Sequence, residues 1–433
     1  MKLYPFQQRI LEDTRKQNHV AYYLEMGLGK TFIGAEKMVR LGNDTNLIIC
    51  QKSKIQDWIK HFKKNYPQVK VWNLTNGKEF TDFIGRYVAW HGFHGASIGI
   101  GIINYELAWR RKELLTLSDF TLMLDESSLI QNRTAKQSKF ILRLDPANVI
   151  LLSGTPTAGR YENLWTQIHL LGWEISEDTY NSQYVNWKKQ QIGWVNPKII
   201  RIVDKREPYK NVERLKSKMR EHGAVFLKSE EVLDLPEQVT TIIEVETSKQ
   251  YRQFQRNDIV QIDGTELAGD TDLTKRLYSR QLCGQYSGAK LEAFRDLIQS
   301  TNDRLIVFYN FTEELKVLLP IVTADSDKTF SIVNGERKDL TAYERDSDSV
   351  TFVQYQAGAM GLNLQKANKI IYFTLPDGRQ DLFDQSIKRI HRIGQNQTCF
   401  YYILLCKDSI EEDILKTLNI RKEYTDELFR ERE

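Results

Sequence analysis

The feature that most narrows the fold is a rhythm. Short apolar runs, dense in β-branched and aromatic residues, alternate with longer amphipathic stretches, and they do so twice. The first set is His19–Met26, Asn46–Gln51, Ile98–Tyr105, Phe120–Glu126 and Asn148–Thr155; the second is Arg304–Phe311, Thr329–Gly335, Val350–Ala357, Lys369–Pro376 and Cys399–Cys406. Runs without polar alternation suit strands buried on both faces, and strands separated by helix-length stretches form parallel sheets covered by helices. At 433 residues the chain exceeds what one hydrophobic core serves, so two α/β domains are expected. Between the sets, from Tyr161 to Gly288, the rhythm fades into aromatic, basic and helical-looking sequence, with one further run at Val239–Val245. The expected organisation is 1–172 for the first domain, 173–287 for a mainly helical, basic and aromatic insertion or connector, 288–410 for the second domain, and 411–433 for a peripheral C-terminal helix.

Composition closes off other classes. With 41% apolar and 27% charged residues the chain carries enough apolar material for cores and too much to be chiefly disordered. No apolar run approaches the ~18 residues of a membrane helix, and Pro5, Arg9, Glu12 and Asp13 interrupt the start, so neither a membrane span nor a signal peptide is expected. The four cysteines lie far apart except Cys399 and Cys406, whose gap fits neither a zinc finger nor a redox pair; they read as buried thiols of a cytoplasmic protein. His91 and His94 have no further ligand at metal spacing and read as a loop. A net charge of +4 identifies no partner, but Gln183–Arg220 concentrates eleven Lys/Arg against three Asp/Glu, interleaved with Tyr184, Trp187, Trp194 and Tyr209. That mix suits nucleic-acid phosphates with aromatic packing, and equally suits a solvated protrusion.

Two motifs carry chemistry. Leu24–Thr31 (LEMGLGKT) follows an expected strand and opens an expected helix, the setting of a phosphate-binding loop. Gly27, Leu28 and Gly29 would bring backbone N–H groups to the phosphates, Lys30 would neutralise their oxygens, and Thr31 would offer a hydroxyl to Mg²⁺. The strict pattern wants glycine where Leu24 stands. About a hundred residues on, an apolar strand ends in Asp125-Glu126, suited to Mg²⁺ and to the attacking water respectively. Either motif alone is common; the two in this order agree on one chemistry. Arg389 and Arg392, three apart and hence expected on one helix face, could supply positive charge to a γ-phosphate across an interdomain cleft.

Together EMGLGKT, LDESS, LLSGTP (Leu151–Pro156), AGAMGLNL (Ala357–Leu364) and QSIKRIHRIGQ (Gln385–Gln395) resemble the successive motifs of superfamily II helicases, specifically the Swi/Snf-type branch of DNA-dependent ATPases. Leu3–Gln7, Gln51–Trp58, Phe226–Glu237 and Gly288–Glu292 extend the resemblance across nearly the whole chain. It implies two RecA-like P-loop domains with parallel sheets and an ATP-driven motor moving on duplex DNA. Strand separation by the same machinery, or an ATP-switched loader for a nuclease or replication protein, are the alternatives. By the resemblance Gln7 reads the adenine edge, Lys30 and Thr31 meet phosphate and Mg²⁺, Asp125 and Glu126 meet metal and water, and Arg389 and Arg392 meet the transition state. Ser53, Ser153, Gly154, Thr155, Gly358, Gly361 and Asn363 couple nucleotide to DNA, and Lys188, Lys189, Lys205 and Arg206 are candidate DNA contacts. Ser127-Ser128 depart from the Ala-His or Gly-His usual after the two acids, which leaves the relay from DNA to hydrolysis unassigned. The compact chain fits a phage or bacterial monomer, working in the cytoplasm with a replication, recombination or nuclease partner, better than a chromatin remodeler.

Overall fold

The computed structural model describes residues 2–90, 98–192, 198–262, 264–358 and 362–430. It divides into a first unit, Met1–Val232 with Glu423–Glu433, and a second, Leu233–Lys422, so the stretch 173–287 is shared between two bodies.

In the first unit β1 (His19–Leu24), β2 (Thr45–Cys50), β3 (Lys70–Asn73), β4 (Gly99–Asn104), β5 (Thr121–Asp125) and β6 (Asn148–Ser153) are followed by a separate pair, β7 (Trp187–Ile192) and β8 (Lys198–Val203). The strand β9 (Ala224–Leu227) then returns to the sheet. The sheet order is β3-β4-β2-β5-β6-β1-β9, and all its pairings are parallel. β2, β4 and β6 are buried along their whole length, as their unbroken apolar runs require. β3 and β9, four residues each at the two edges, are too short for the rhythm to reveal. The helix Lys30–Leu41 lies so close to β5 and β6 that a Cβ on Gly34 would come within 2.8 Å of Leu152 Cδ1 and 2.9 Å of Met123 Sδ.

Part of the basic segment departs from the helical character expected, while Val212–Glu221 at its end is a helix. β7 and β8 form an antiparallel ribbon, apart from the sheet, with Lys189 facing Arg201 across the strands. The run Ile199–Val203 is rich in β-branched residues, which pack best on a pleated surface, and these outweigh the helix-favouring lysines.

The second unit repeats the plan. Its strands are β10 (Gln238–Val245), β11 (Ile259–Ile262), β12 (Thr265–Ala268), β13 (Leu305–Tyr309), β14 (Thr329–Val333), β15 (Lys338–Asp339), β16 (Ser349–Gln354), β17 (Lys369–Tyr372) and β18 (Cys399–Cys406). The sheet runs β10-β18-β17-β13-β16-β14-β15, parallel except for β14 with β15, while β11 and β12 make a separate hairpin. Alternate residues of β13 feed opposite cores: Ile306 and Phe308 on one face, Leu305, Val307 and Tyr309 on the other. All four cysteines are free and buried, and Cys406 meets Cys283 rather than Cys399, its Sγ 3.6 Å from the Cys283 carbonyl. Beside them Lys290 and Glu411 form a buried ion pair at 2.5 Å.

The C-terminal helix, Ile410–Phe429, is not peripheral. Ile414, Leu415 and Leu418 belong to the second unit's core; Leu428 and Phe429 belong to the first unit's, with Phe429 edge-on to Phe226 at 5.4 Å between ring centres. Tyr424 accepts a 2.7 Å hydrogen bond from Tyr161 at its carbonyl, and Asp426 pairs with Lys228 at 3.1 Å. Phe429→Ala should therefore destabilise the first unit by about 3 kcal/mol, read as a lower urea midpoint, whereas a peripheral helix would lose almost nothing.

Candidate active site

β1 ends at Leu24, and the chain turns through Glu25–Gly29 into the helix Lys30–Leu41. Gly27 and Gly29 hold left-handed conformations, φ 93° and 75°, and a Cβ on Gly29 would collide with Gln7 Nε2. Gln7, buried, donates from Nε2 to the Leu28 carbonyl at 2.9 Å and accepts the Tyr4 N–H at Oε1, 3.0 Å. Each amide atom keeps one further hydrogen-bonding position. Lys30 Nζ lies 2.9 Å from the Leu24 carbonyl, and a Cβ on Gly154 would stand 3.2 Å from that ammonium. Thr31 occupies the helix's first turn. Glu25 is held by Ser229, through its N–H at 2.8 Å and its hydroxyl, a contact no motif flagged. A glycine cradle, a helix N-terminus and a lysine together fit the phosphates of a nucleotide.

The acids sit one strand away. Asp125 pairs in register with Leu152 of β6, whose next residue Ser153 pairs with Tyr23 of β1. Desolvation pushes the Asp125 carboxyl up, opposed by its hydrogen bond from Trp58 and by the charges of Lys54 and Lys30. Trp58 Nε1 donates to Asp125 Oδ2 at 2.8 Å. Trp58 is packed, stacked on Phe62, yet its polar edge is taken up by the acid. Tyr105, fully buried, donates from its hydroxyl to the Asp125 carbonyl at 3.0 Å. Glu126 takes φ 57°, an unusual backbone for a non-glycine residue and costly unless its surroundings enforce it. A desolvated carboxylate one strand from a lysine-bearing glycine loop fits a hard divalent cation.

Other expected residues scatter. Ser53 is exposed in the single turn Lys52–Lys54 after β2. Ser153 is buried and accepts the Thr155 N–H at 3.2 Å; the buried Thr155 hydroxyl has no partner among the described residues. In the second unit Gly358 ends the short helix Tyr355–Gly358 and Asn363 is exposed. Gly361, Trp194, His91 and His94 lie outside the described residues. The expectation of two arginines on one helix face fails, because that helix ends at Ile387. Arg389 turns inward, 2% exposed, with Nη1 3.3 Å from the Leu362 carbonyl while its own carbonyl accepts the Leu364 N–H at 3.1 Å; it braces the segment that carries Asn363. Arg392 is half-buried, and desolvation lowers its pKa. On the ribbon Lys188 pairs with Asp204 at 2.6 Å, while Lys189, Lys205 and Arg206 are exposed. Trp58→Phe, which removes the donor to Asp125, should lower the first unit's urea stability by about 2 kcal/mol, the scale of a hydrogen bond to a charged group.

The chain is similar to known proteins over most of its length. The SNF2-related domain matches residues 21–286, and the helicase conserved C-terminal domain matches residues 289–394. Among curated relatives, the SWI/SNF-related matrix-associated actin-dependent regulator of chromatin subfamily A member 1 of Mus musculus is 22% identical over 92% of this chain and 40% of its own length. The DNA annealing helicase and endonuclease ZRANB3 of Mus musculus is 24% identical over 98% and 40%, and the uncharacterized ATP-dependent helicase MG018 of Mycoplasma genitalium 23% over 96% and 40%. The chain thus spans about 40% of the length of these relatives. The solved Sulfolobus solfataricus SWI2/SNF2 ATPase core in complex with dsDNA aligns at 17% identity and TM-score 0.43, covering 98% of this chain and 92% of that one. With one model spanning most of the chain and the other following directly behind it, the chain belongs to the SNF2-related family.

Proposed function

We propose that this chain is a DNA-stimulated ATPase that converts ATP hydrolysis into movement along duplex DNA. The observation that carries the reading is the placement of the glycine cradle on β1 and the desolvated Asp125 on β5, separated only by β6 and its Ser153–Pro156 loop. The Gly27–Gly29 amides and Lys30 hold the triphosphate, and the free positions on the Gln7 amide meet the adenine edge. Thr31 and Asp125 would hold Mg²⁺, which when bound neutralises phosphate charge. Glu126, its backbone fixed in the left-handed region, orients the attacking water and takes its proton. In the second unit Arg392 is the candidate for charge on the γ-phosphate, and Arg389 is the internal brace.

Duplex DNA as the track is supported by membership of the SNF2-related family and by the basic ribbon. Lys189, Lys205 and Arg206, with Lys188 exchanging its bond to Asp204, would contact phosphates without reading sequence. Exposed Ser53 and Asn363 would meet the backbone directly, and buried Ser153 and Thr155, with Gly154 between them, would act from beneath.

Glu126→Gln should keep ATP and DNA binding and lose about 10²- to 10⁴-fold in turnover; unchanged turnover would remove Glu126 from the water. Assayed with no nucleic acid, single strands, duplex and RNA in parallel, the wild-type chain should respond most to duplex, and a response confined to single strands or RNA would instead favour an unwinding helicase. Changing Lys188, Lys189, Lys205 and Arg206 together to Ala should flatten the slope of log affinity against log salt by about 3.6, and an unaltered slope would leave the ribbon as a solvated protrusion.

A further inference from the structure

We propose that Gln167 is a positioning residue of the hydrolytic site, whose amide ties the turn carrying Glu126 to the Ser153–Pro156 loop so that the loop's place sets that of the carboxylate. The proposal deepens the ATPase reading above and rests on it. Gln167 lies on the helix Trp165–Leu170, outside all the motifs that drew attention in the sequence, and is fully buried. Its Oε1 accepts two hydrogen bonds, from the Ser127 hydroxyl at 2.7 Å and from the Tyr23 hydroxyl at 3.1 Å. Its Nε2 donates to the Pro156 carbonyl at 2.8 Å. One side chain therefore joins the end of β1, the turn after the two acids and the loop after β6.

Burial gives the joint its force. Ser127, Tyr23 and Gln167 are each 0% exposed, so a broken bond cannot be replaced by one to bulk water and leaves its partner unsatisfied. Ser127 directly follows Glu126, whose left-handed backbone must be enforced from outside. The Ser127–Gln167 bond does so on one side, and the Tyr105 hydroxyl, 3.4 Å from the Glu126 carbonyl, on the other. The Pro156 carbonyl is gripped a second time, by Gln131 Nε2 at 3.1 Å, and Gln131 Oε1 in turn accepts from Asn163 at 3.2 Å. A shift of the Ser153–Pro156 loop thus pulls on Gln167, and Gln167 pulls on the residue next to Glu126. The serine hydroxyl is what makes this possible, since neither alanine nor glycine at position 127 could donate. The unassigned departure in the acid motif thereby acquires a role: Ser127 is the donor through which this chain links loop to acid.

The test is a double-mutant cycle on the full chain with Ser127→Ala, Gln167→Met and the pair. Turnover is measured with and without saturating duplex DNA, together with KM for ATP and the melting temperature. Each single variant should lose about tenfold in duplex-stimulated kcat while KM for ATP stays within about twofold, because the phosphate cradle is untouched. The double variant should lose no more than the worse single, since both break the same bond. Unchanged stimulated kcat in both singles, or losses that multiply in the double, would overturn the proposal. Should Gln167→Met melt far below wild type, Ser127→Ala decides alone, since it deletes a single oxygen. Absence of turnover by the wild-type chain would overturn the ATPase reading beneath the proposal, and that control separates the two failures.

Discussion

A parallel sheet covered by helices on both faces can present polar groups only where its strands end, and this constraint organises both units. Complete burial of β2, β4 and β6 expels reactive chemistry from the middle of the first sheet. The glycine cradle after β1, the turn with Ser53 after β2, Tyr105 after β4, Glu126 after β5 and Gly154–Pro156 after β6 all fall at the carboxyl edge as a result. Strand order then determines proximity. Because β6 lies between β1 and β5, residues a hundred positions apart in the chain become lateral neighbours.

At that edge the protein keeps its charges tightly braced. Asp125 is desolvated and still ionisable because an indole N–H, two lysines and the Glu126 amide favour its charged form. Glu126 holds a strained backbone beside two buried donors, and the Lys30 ammonium rests on a carbonyl of its own loop. Groups arranged this way meet their reorganisation cost during folding, which is the physical content of preorganisation.

The second unit uses its conspicuous basic groups differently from one another. Arg389 is consumed inside the fold as a brace for Leu362 and Leu364, while Arg392, three residues later, remains half-exposed. The end of the helix at Ile387 makes that division, since spacing argues for a shared face only while the helix lasts. The two ends of the C-terminal helix are likewise claimed by different cores, so its apolar residues divide between two packing environments instead of forming one stripe.

The sequence by itself determined the two parallel sheets, because doubly buried strands need unbroken apolar runs, and it located the glycine-rich loop and the acid pair, because both are contiguous and sit where a strand must stop. It could not reveal the partners of those motifs. The bond from Trp58 to Asp125 spans 67 positions and that from Ser127 to Gln167 spans 40, and nothing local tells a tryptophan or glutamine that bonds a distant group from one that merely packs. The ribbon of β7 and β8 escaped because charge masked its β-branched character, and β3 and β9 because four residues carry too little periodicity. Tertiary structure decided these points for one reason: hydrogen bonds and burial depend on which strands lie side by side, and that order is a property of the folded sheet rather than of any segment read alone.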